Sequence, residues 1–202
     1  GLWPVEAFDT ILSPPPAAAP ARPALTDETF IQKDMCEVSP LVWKGRLCLF
    51  LCFRPAEGGT KDDYYLLIRD AETGEEMARF GTGHSLASAC VVKDTVYVSA
   101  ARFEDNNWND VTVFKSKDLK NWEQKVAVVQ EPGEHLFNSS ICAGPDGFVM
   151  SYESNDPAYP AFTVKFAQSK DLETWTKMPD AVFGTDRYTA CPTIRYADGF
   201  YY

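Results

Sequence analysis

The sequence has little of what metal, nucleic-acid and membrane sites require. It contains only two histidines in 202 residues and no Cys-x-x-Cys pair, so the usual ligand spacings of a structural zinc site are missing. Its 19 basic residues are outnumbered by 29 acidic ones, for a formal net charge of −10, which disfavours binding to nucleic acids and anionic membranes. No uncharged apolar run reaches the roughly 20 residues of a membrane-spanning helix. We therefore expect no metal, no cofactor, no nucleic-acid partner and no membrane.

Disulfide bonds and targeting signals are not indicated either. The six cysteines are too few and too scattered for a small disulfide scaffold, and we expect mostly buried thiols. The opening residues, GLWPVEAFDT, lack the basic start and apolar stretch of a signal peptide. A signal removed before this numbering would allow a secreted or periplasmic location, and a cytoplasmic one stays open. Residues 1–33 include SPPPAAAPARPAL and are expected to form an extended N-terminal arm.

What the sequence does contain is an internal repeat. The segment SKDLKNW at 116–122 returns as SKDLETW at 169–175. Each copy lies in a longer module with two apolar strands joined by a turn, a polar excursion, a third strand, the SKDL turn and a fourth strand. The turns between the first two strands recur with spacings of 50, 52 and 52 residues, at Gly45, Thr95, Gly147 and Gly199. Helical periodicity is nearly absent.

Four antiparallel strands in a module of about 50 residues are typical of a β-propeller blade. Asp-Gly and Lys-Gly turns between apolar runs favour hairpins, and LCLFLCF and YYLLI are apolar on both faces, as in strands covered on each side. We predict an all-β propeller over residues 34–202 with about three and a half blades. Its last module stops within the second strand, so we expect further blades or a partner chain to complete the ring.

The SKDL motif has a physical explanation in this arrangement. Ser and Asp side chains can bond their own backbone and close a tight turn between the third and fourth strands. The large apolar groups of the motif are then expected to pack against the next blade. These groups are Leu119, Trp122, Leu172 and Trp175.

The two SKDL motifs and the segment CPTIRYADGFYY resemble the five-bladed propellers of glycoside hydrolase family 43 and its relatives. The resemblance covers about residues 34–202. It implies a five-bladed propeller that holds a carbohydrate ligand in an axial pocket and hydrolyses it with an acid and a base carboxylate. A six-bladed sialidase is one alternative, although the Asp-box of that group contains a Gly that is absent here. A non-catalytic carbohydrate-binding or interaction propeller is another, because fold alone does not establish function.

Acidic residues near the ends of the strands supply the candidate carboxylates. Hydrolysis of a glycosidic bond needs one carboxyl group to protonate the leaving oxygen and another to activate water or attack the sugar. Where family 43 has Asp-Pro in the first inner strand, this chain has Ser39-Pro40, and Glu37 and Asp34 upstream are the candidates for the base. Glu153 follows an apolar strand that would bury its stem, and it is the candidate acid.

Other polar and aromatic residues at strand ends are candidates for substrate contact. They are His84, Glu104, Asn138, Asp186, Arg187 and Tyr188. Glu104 and Glu153 are expected at matching places of successive blades, where the second strand ends. Each candidate has a structural alternative: His84 could cap a strand, Asn138 could be a turn amide, and Asp186 with Arg187 could be a surface ion pair of small energy.

Overall fold

The computed structural model describes residues 33–202. The predicted N-terminal arm, residues 1–33, lies outside the described residues except for Lys33. The first four-stranded sheet consists of β1 (Met35–Trp43), β2 (Arg46–Phe53), β3 (Tyr65–Asp70) and β4 (Glu76–Phe80). The second consists of β5 (His84–Val92), β6 (Thr95–Glu104), β7 (Asn107–Ser116) and β8 (Glu123–Val128). The third consists of β9 (Leu136–Gly144), β10 (Gly147–Ser154), β11 (Thr163–Ser169) and β12 (Trp175–Phe183).

The prediction of an all-β propeller with about three and a half blades is confirmed. Each four-stranded sheet is an antiparallel meander in chain order, and a hairpin of β13 (Tyr196–Ala197) and β14 (Phe200–Tyr201) follows as the start of a fourth blade. The inner strands β1, β5 and β9 lie side by side around one axis. Within residues 33–202 the only helical turn is a short 3-10 helix at Lys61–Asp63.

The two SKDL turns have the same hydrogen bonds. The Ser169 hydroxyl accepts the Leu172 N–H at 2.9 Å, and Asp171 Oδ1 accepts the Thr174 N–H at 2.8 Å. In blade 2, Ser116 and Asp118 accept the corresponding N–H groups at 2.9 and 2.8 Å. Backbone N–H donors lower the pKa of both aspartates, since they stabilise the charged carboxylate. The local turn chemistry predicted from the sequence is therefore present in both copies.

The apolar residues of these turns pack against the preceding blade, whereas the sequence predicted the next one. Trp122 of blade 2 stacks on Phe80 of blade 1, with ring centroids 3.6 Å apart. Leu172 and Trp175 of blade 3 pack in one cluster with Val111 and other residues of blade 2. Leu119 and Leu172 both have left-handed backbones, with φ of 61° and 65°. Both leucine side chains are buried in clusters that include residues of the preceding blade.

The Leu172 turn provides a test of this packing. Leu172→Ala should lower the free energy of unfolding by about 2–5 kcal/mol, because the buried leucine leaves a cavity. Leu172→Gly should be no more destabilising, although it removes more apolar surface, because glycine relieves the left-handed backbone. Urea unfolding measures both variants. The control is Leu47→Ala, since Leu47 is 45% exposed and should change stability by less than about 1 kcal/mol. Equal effects at Leu172 and Leu47 would contradict this packing.

The inner hairpins are offset by one residue from the turn alignment read in the sequence. Their closing pairs are Trp43 with Arg46, Val92 with Thr95, Gly144 with Gly147 and Ala197 with Phe200. Gly45 and Gly199 are therefore turn residues, with φ of 77° and 87°, whereas Thr95 and Gly147 are the first residues of strands. The closing pairs give the register that places the site.

Candidate functional site

The inner strands enclose an open channel of about 590 Å³ along the propeller axis. Four hydroxyl side chains line this channel at equivalent positions, each four residues before the first residue of the closing pair of its hairpin. They are Ser39, Ser88, Ser140 and Thr193. The layer two residues earlier, six before each closing pair, contains Glu37, Leu86, Asn138 and Cys191. Two residues predicted for the site, Glu37 and Asn138, thus occupy the same level of the axis.

Backbone bulges shape this level. The register of β1 with β2 shifts between Cys36 and Ser39, and that of β5 with β6 shifts between Ser85 and Ser88. Glu37, Leu86 and Cys191 have left-handed backbones with φ of 49°, 53° and 52°. Such a bulge re-aims the side chain at its extra residue. The fold therefore repeats one strained position in blades 1, 2 and 4, and each blade fills it with a different side chain.

Glu37 is held by an arginine that sequence reasoning missed. Arg54 Nη2 donates to Glu37 Oε1 at 3.1 Å, and the Glu37 side chain is 19% exposed. Glu37 Oε2 is buried and has no hydrogen-bond partner among residues 33–202. Burial alone would lower the pKa of Arg54, but its hydrogen bond with Cys36 and the charge of Glu37 outweigh that effect and raise it. Arg54 is thus a permanent cation that fixes one carboxylate oxygen, while the other has no partner among the described residues.

Glu153 on β10 is almost fully buried, with 4% of its surface exposed. Its Oε2 accepts two hydrogen bonds at 3.0 Å, one from Asn138 Nδ2 and one from the backbone N–H of Cys191. The sequence-predicted residues Glu153 and Asn138 are therefore brought together, and the segment leading into blade 4 completes the arrangement. Both donors bond the same oxygen, Oε2.

Cys191 connects the two carboxylates. Partial desolvation raises the pKa of its thiol, and the negative charges of Glu153 and then Glu37 raise it further. Glu153 contacts the backbone N–H of Cys191, and Glu37 has the same register in blade 1 as Cys191 has in blade 4.

Asp34 and His84 lie in different environments from those expected for ligand contact. Asp34 Oδ1 accepts the Ala56 N–H at 3.1 Å, so this carboxylate closes the turn beside β2. The His84 ring is buried in blade 2, where Nδ1 bonds the Thr82 carbonyl and Nε2 bonds the Thr112 hydroxyl, both at 3.1 Å. Burial lowers the pKa of His84, so the ring is neutral near pH 7. Both ring nitrogens are already used within the protein.

Glu104 does not match Glu153, and this expectation was wrong. Glu153 comes six residues after Gly147, whereas Glu104 comes nine residues after Thr95; the equivalent of Glu153 in blade 2 is Ala101. The reason is that β6 has ten residues and β10 has eight. Glu104 lies at the far end of β6, where it pairs with Arg102 and, at 3.9 Å, with Lys61.

Asp186, Arg187 and Tyr188 lie on the segment between β12 and β13. Asp186 and Arg187 form an exposed ion pair at 3.7 Å. Tyr188 is 67% exposed, and its ring lies edge-on to Phe162 at 5.4 Å between centroids. These three residues are thus exposed, and none of them is a hydrogen-bond partner of Glu153.

Two groups at the axis, Arg54 and Cys191, were absent from the sequence prediction. Arg54 is the first residue after β2, and nothing in its local sequence indicates that it reaches Glu37. Counting six residues back from the closing pair of each hairpin would have found Cys191.

Within residues 33–202, no group of three or more His, Cys, Asp or Glu side chains has the arrangement of a metal site. All six cysteines are free thiols, and Cys48, Cys52 and Cys142 are buried. The described residues contain no helix long and apolar enough to cross a bilayer.

Comparison with known proteins supports the fold. No protein-family model and no curated protein matches the sequence. Among solved structures, the chain is similar to a thermostable family-43 glycoside hydrolase (TM-score 0.54, 12% identity, 73% of this chain and 55% of that one). It is also similar to a GH32 beta-fructofuranosidase from Bombyx mori (TM-score 0.56, 16% identity, 83% of this chain and 39% of that one). The chain thus spans between 39% and 55% of these structures, and at such identities the likeness shows a shared propeller fold.

Proposed function

We propose that this chain is the propeller of a glycoside hydrolase, with Glu37 and Glu153 as its pair of carboxylates. The observation that carries the proposal is the unpartnered, buried Oε2 of Glu37, at the level of the axis where Asn138 donates a hydrogen bond to a second carboxyl group, that of Glu153. A buried carboxylate oxygen without a partner is costly unless a ligand uses it. A sugar hydroxyl or an attacking water can supply the missing donor.

The two glutamates differ in the roles that their contacts support. Glu37 pairs with Arg54 through one oxygen and has a second oxygen without a partner, as a base or nucleophile requires. Glu153 has one oxygen fixed by two N–H donors, which leaves Oε1 to carry and deliver a proton. One carboxyl group paired with a cation and a second, buried carboxyl group are the two groups that glycoside hydrolysis needs. Asp34, the other candidate base, already accepts a backbone N–H.

The test is hydrolysis of a panel of p-nitrophenyl glycosides and oligosaccharides that covers common pentoses and hexoses in both anomeric forms. We expect the full chain to cleave at least one class. The double variant Glu37→Gln/Glu153→Gln should abolish that cleavage while retaining binding of the same sugar. If the unmutated protein binds glycans and cleaves none, the alternative of a carbohydrate-binding propeller takes the place of the enzyme.

A further inference from the structure

A row of aromatic side chains leads away from the axial site across blade 3. Phe137 lies next to Asn138 at the start of β9, and its ring contacts Phe162 at 5.0 Å between centroids. Phe162 in turn contacts Tyr188 at 5.4 Å, and Tyr188 is largely exposed. The row therefore begins at the residue that precedes Asn138 in β9 and ends at the surface.

The backbone holds this row in place. The Thr189 N–H donates to the Phe162 carbonyl at 2.9 Å, which fixes the segment of Tyr188 against the start of β11. Gly184, with φ of 75°, lets the same segment pass close to Thr189, where an added Cβ would come within 1.9 Å of the hydroxyl. Tyr188 thus lies on an anchored segment, so that ligand binding requires little further loss of backbone conformational entropy there.

A comparable group of aromatic rings between blades 1 and 2 has a packing role. Tyr64, Phe103 and Trp108 contact one another with centroids 4.6 to 5.2 Å apart. Tyr64 and Phe103 are buried, so this group is part of the protein interior. Internal packing does not account for Tyr188 in the same way, because most of its surface faces solvent.

The groups around Tyr188 have the chemistry of a sugar-binding surface. A sugar ring has apolar C–H faces that can lie on aromatic rings, and hydroxyl groups that need hydrogen-bond partners. Asp186 and Arg187 stand directly before Tyr188, and their side chains are 76% and 65% exposed. A carboxylate and a guanidinium next to an aromatic face supply acceptors and donors together.

We propose that Phe162 and Tyr188 form a second sugar-binding subsite, which holds the sugar unit next to the one at the axial carboxylates. Its ligand is a neutral oligosaccharide of at least two units that extends over blade 3. The inference rests on the proposed function for the position of the first sugar. Asp186 and Arg187 contribute hydrogen bonds to the second one.

The experiment compares Tyr188→Ala with a matched control, Tyr202→Ala. Tyr202 is 69% exposed and follows the hairpin of blade 4, apart from the row. Titration calorimetry measures binding of xylohexaose, mannohexaose, cellohexaose and fructo-oligosaccharides, and kinetics compare any hexasaccharide cleaved with the p-nitrophenyl glycoside of its terminal sugar. For Tyr188→Ala we expect Kd and KM for the hexasaccharide to rise about tenfold, the value of one aromatic contact, and at least fivefold more than KM for the aryl glycoside. Tyr202→Ala should change neither.

The outcomes separate this inference from the proposed function. If the unmutated chain cleaves glycosides and Tyr188→Ala binds hexasaccharides normally, the subsite is refuted and the enzyme stands. If the unmutated chain binds a hexasaccharide through Tyr188 and cleaves nothing, the subsite stands and the enzyme is refuted. Binding of no oligosaccharide at all refutes both. Thermal unfolding of Tyr188→Ala should match the unmutated protein, because the removed ring is largely in solvent.

Discussion

Glu37→Gln is expected to lower kcat by about 10³-fold or more, toward the upper range for loss of a general base and in the range for loss of a nucleophile. The side-chain amide can still accept from Arg54 through its oxygen. Its NH2 group then takes the position of the free Oε2, where it can neither take a proton nor attack a sugar. Because the shape of the site is kept, KM should change little, which identifies a group that acts in the transition state. Steady-state kinetics on the best substrate of the panel make the measurement.

The matched control is Asp34→Asn, which also replaces a carboxylate by an amide in the first blade. Asp34 bonds the Ala56 N–H through one oxygen, a role that an amide oxygen can take over, so the rate should change by less than about threefold. A large loss in Asp34→Asn with a small one in Glu37→Gln would reverse the assignment of the base. Arg54→Lys should fall between them, since it keeps the charge and loses the planar guanidinium.

The parts of the fold that depend on neighbouring residues could be predicted from the sequence. The SKDL turns are closed by Ser and Asp side chains within five residues of one another. The inner hairpins likewise depend on turn residues such as Lys44-Gly45 and Asp198-Gly199, which have positive φ at both positions. Since these interactions are local, their residue types identify them. Because the sequence repeats, the strands predicted for one blade also predict the strands of the others.

The parts of the site that depend on bulges and strand length could not be predicted in this way. Glu37 adopts φ of 49°, a conformation that its residue type does not favour. The sequence places Glu104 and Glu153 at matching positions because both follow a strand with aromatic residues. Only the structure shows that β6, with ten residues, is longer than β10, with eight. Arg54, just after β2, contacts Glu37 on the neighbouring strand β1. The Cys191 N–H, in the segment that leads into blade 4, contacts Glu153 of blade 3. Each of these contacts is set by tertiary structure.

Glu153→Gln is expected to lower the rate by about 100-fold or more on substrates with poor leaving groups, the typical share of general acid catalysis. The fold of the site should persist, because the amide oxygen of glutamine can accept from Asn138 and from the Cys191 N–H in place of Oε2. The other position then carries an NH2 group, which does not deliver a proton to a departing sugar. Circular dichroism and glycan affinity should therefore match those of the unmutated protein.

The dependence on the leaving group separates a proton donor from a residue that only holds the Cys191 segment. A p-nitrophenolate leaves without much help from an acid, whereas a sugar alkoxide needs its proton, so acid catalysis contributes more as the leaving group becomes more basic. Glu153→Gln should thus retain much more activity on the aryl glycoside than on the oligosaccharide of the same sugar. Glu104→Gln, at the far end of β6 beside Arg102, should show no such difference. An equal loss on both substrates in Glu153→Gln would mean that Glu153 positions Asn138 and Cys191 and that another group donates the proton.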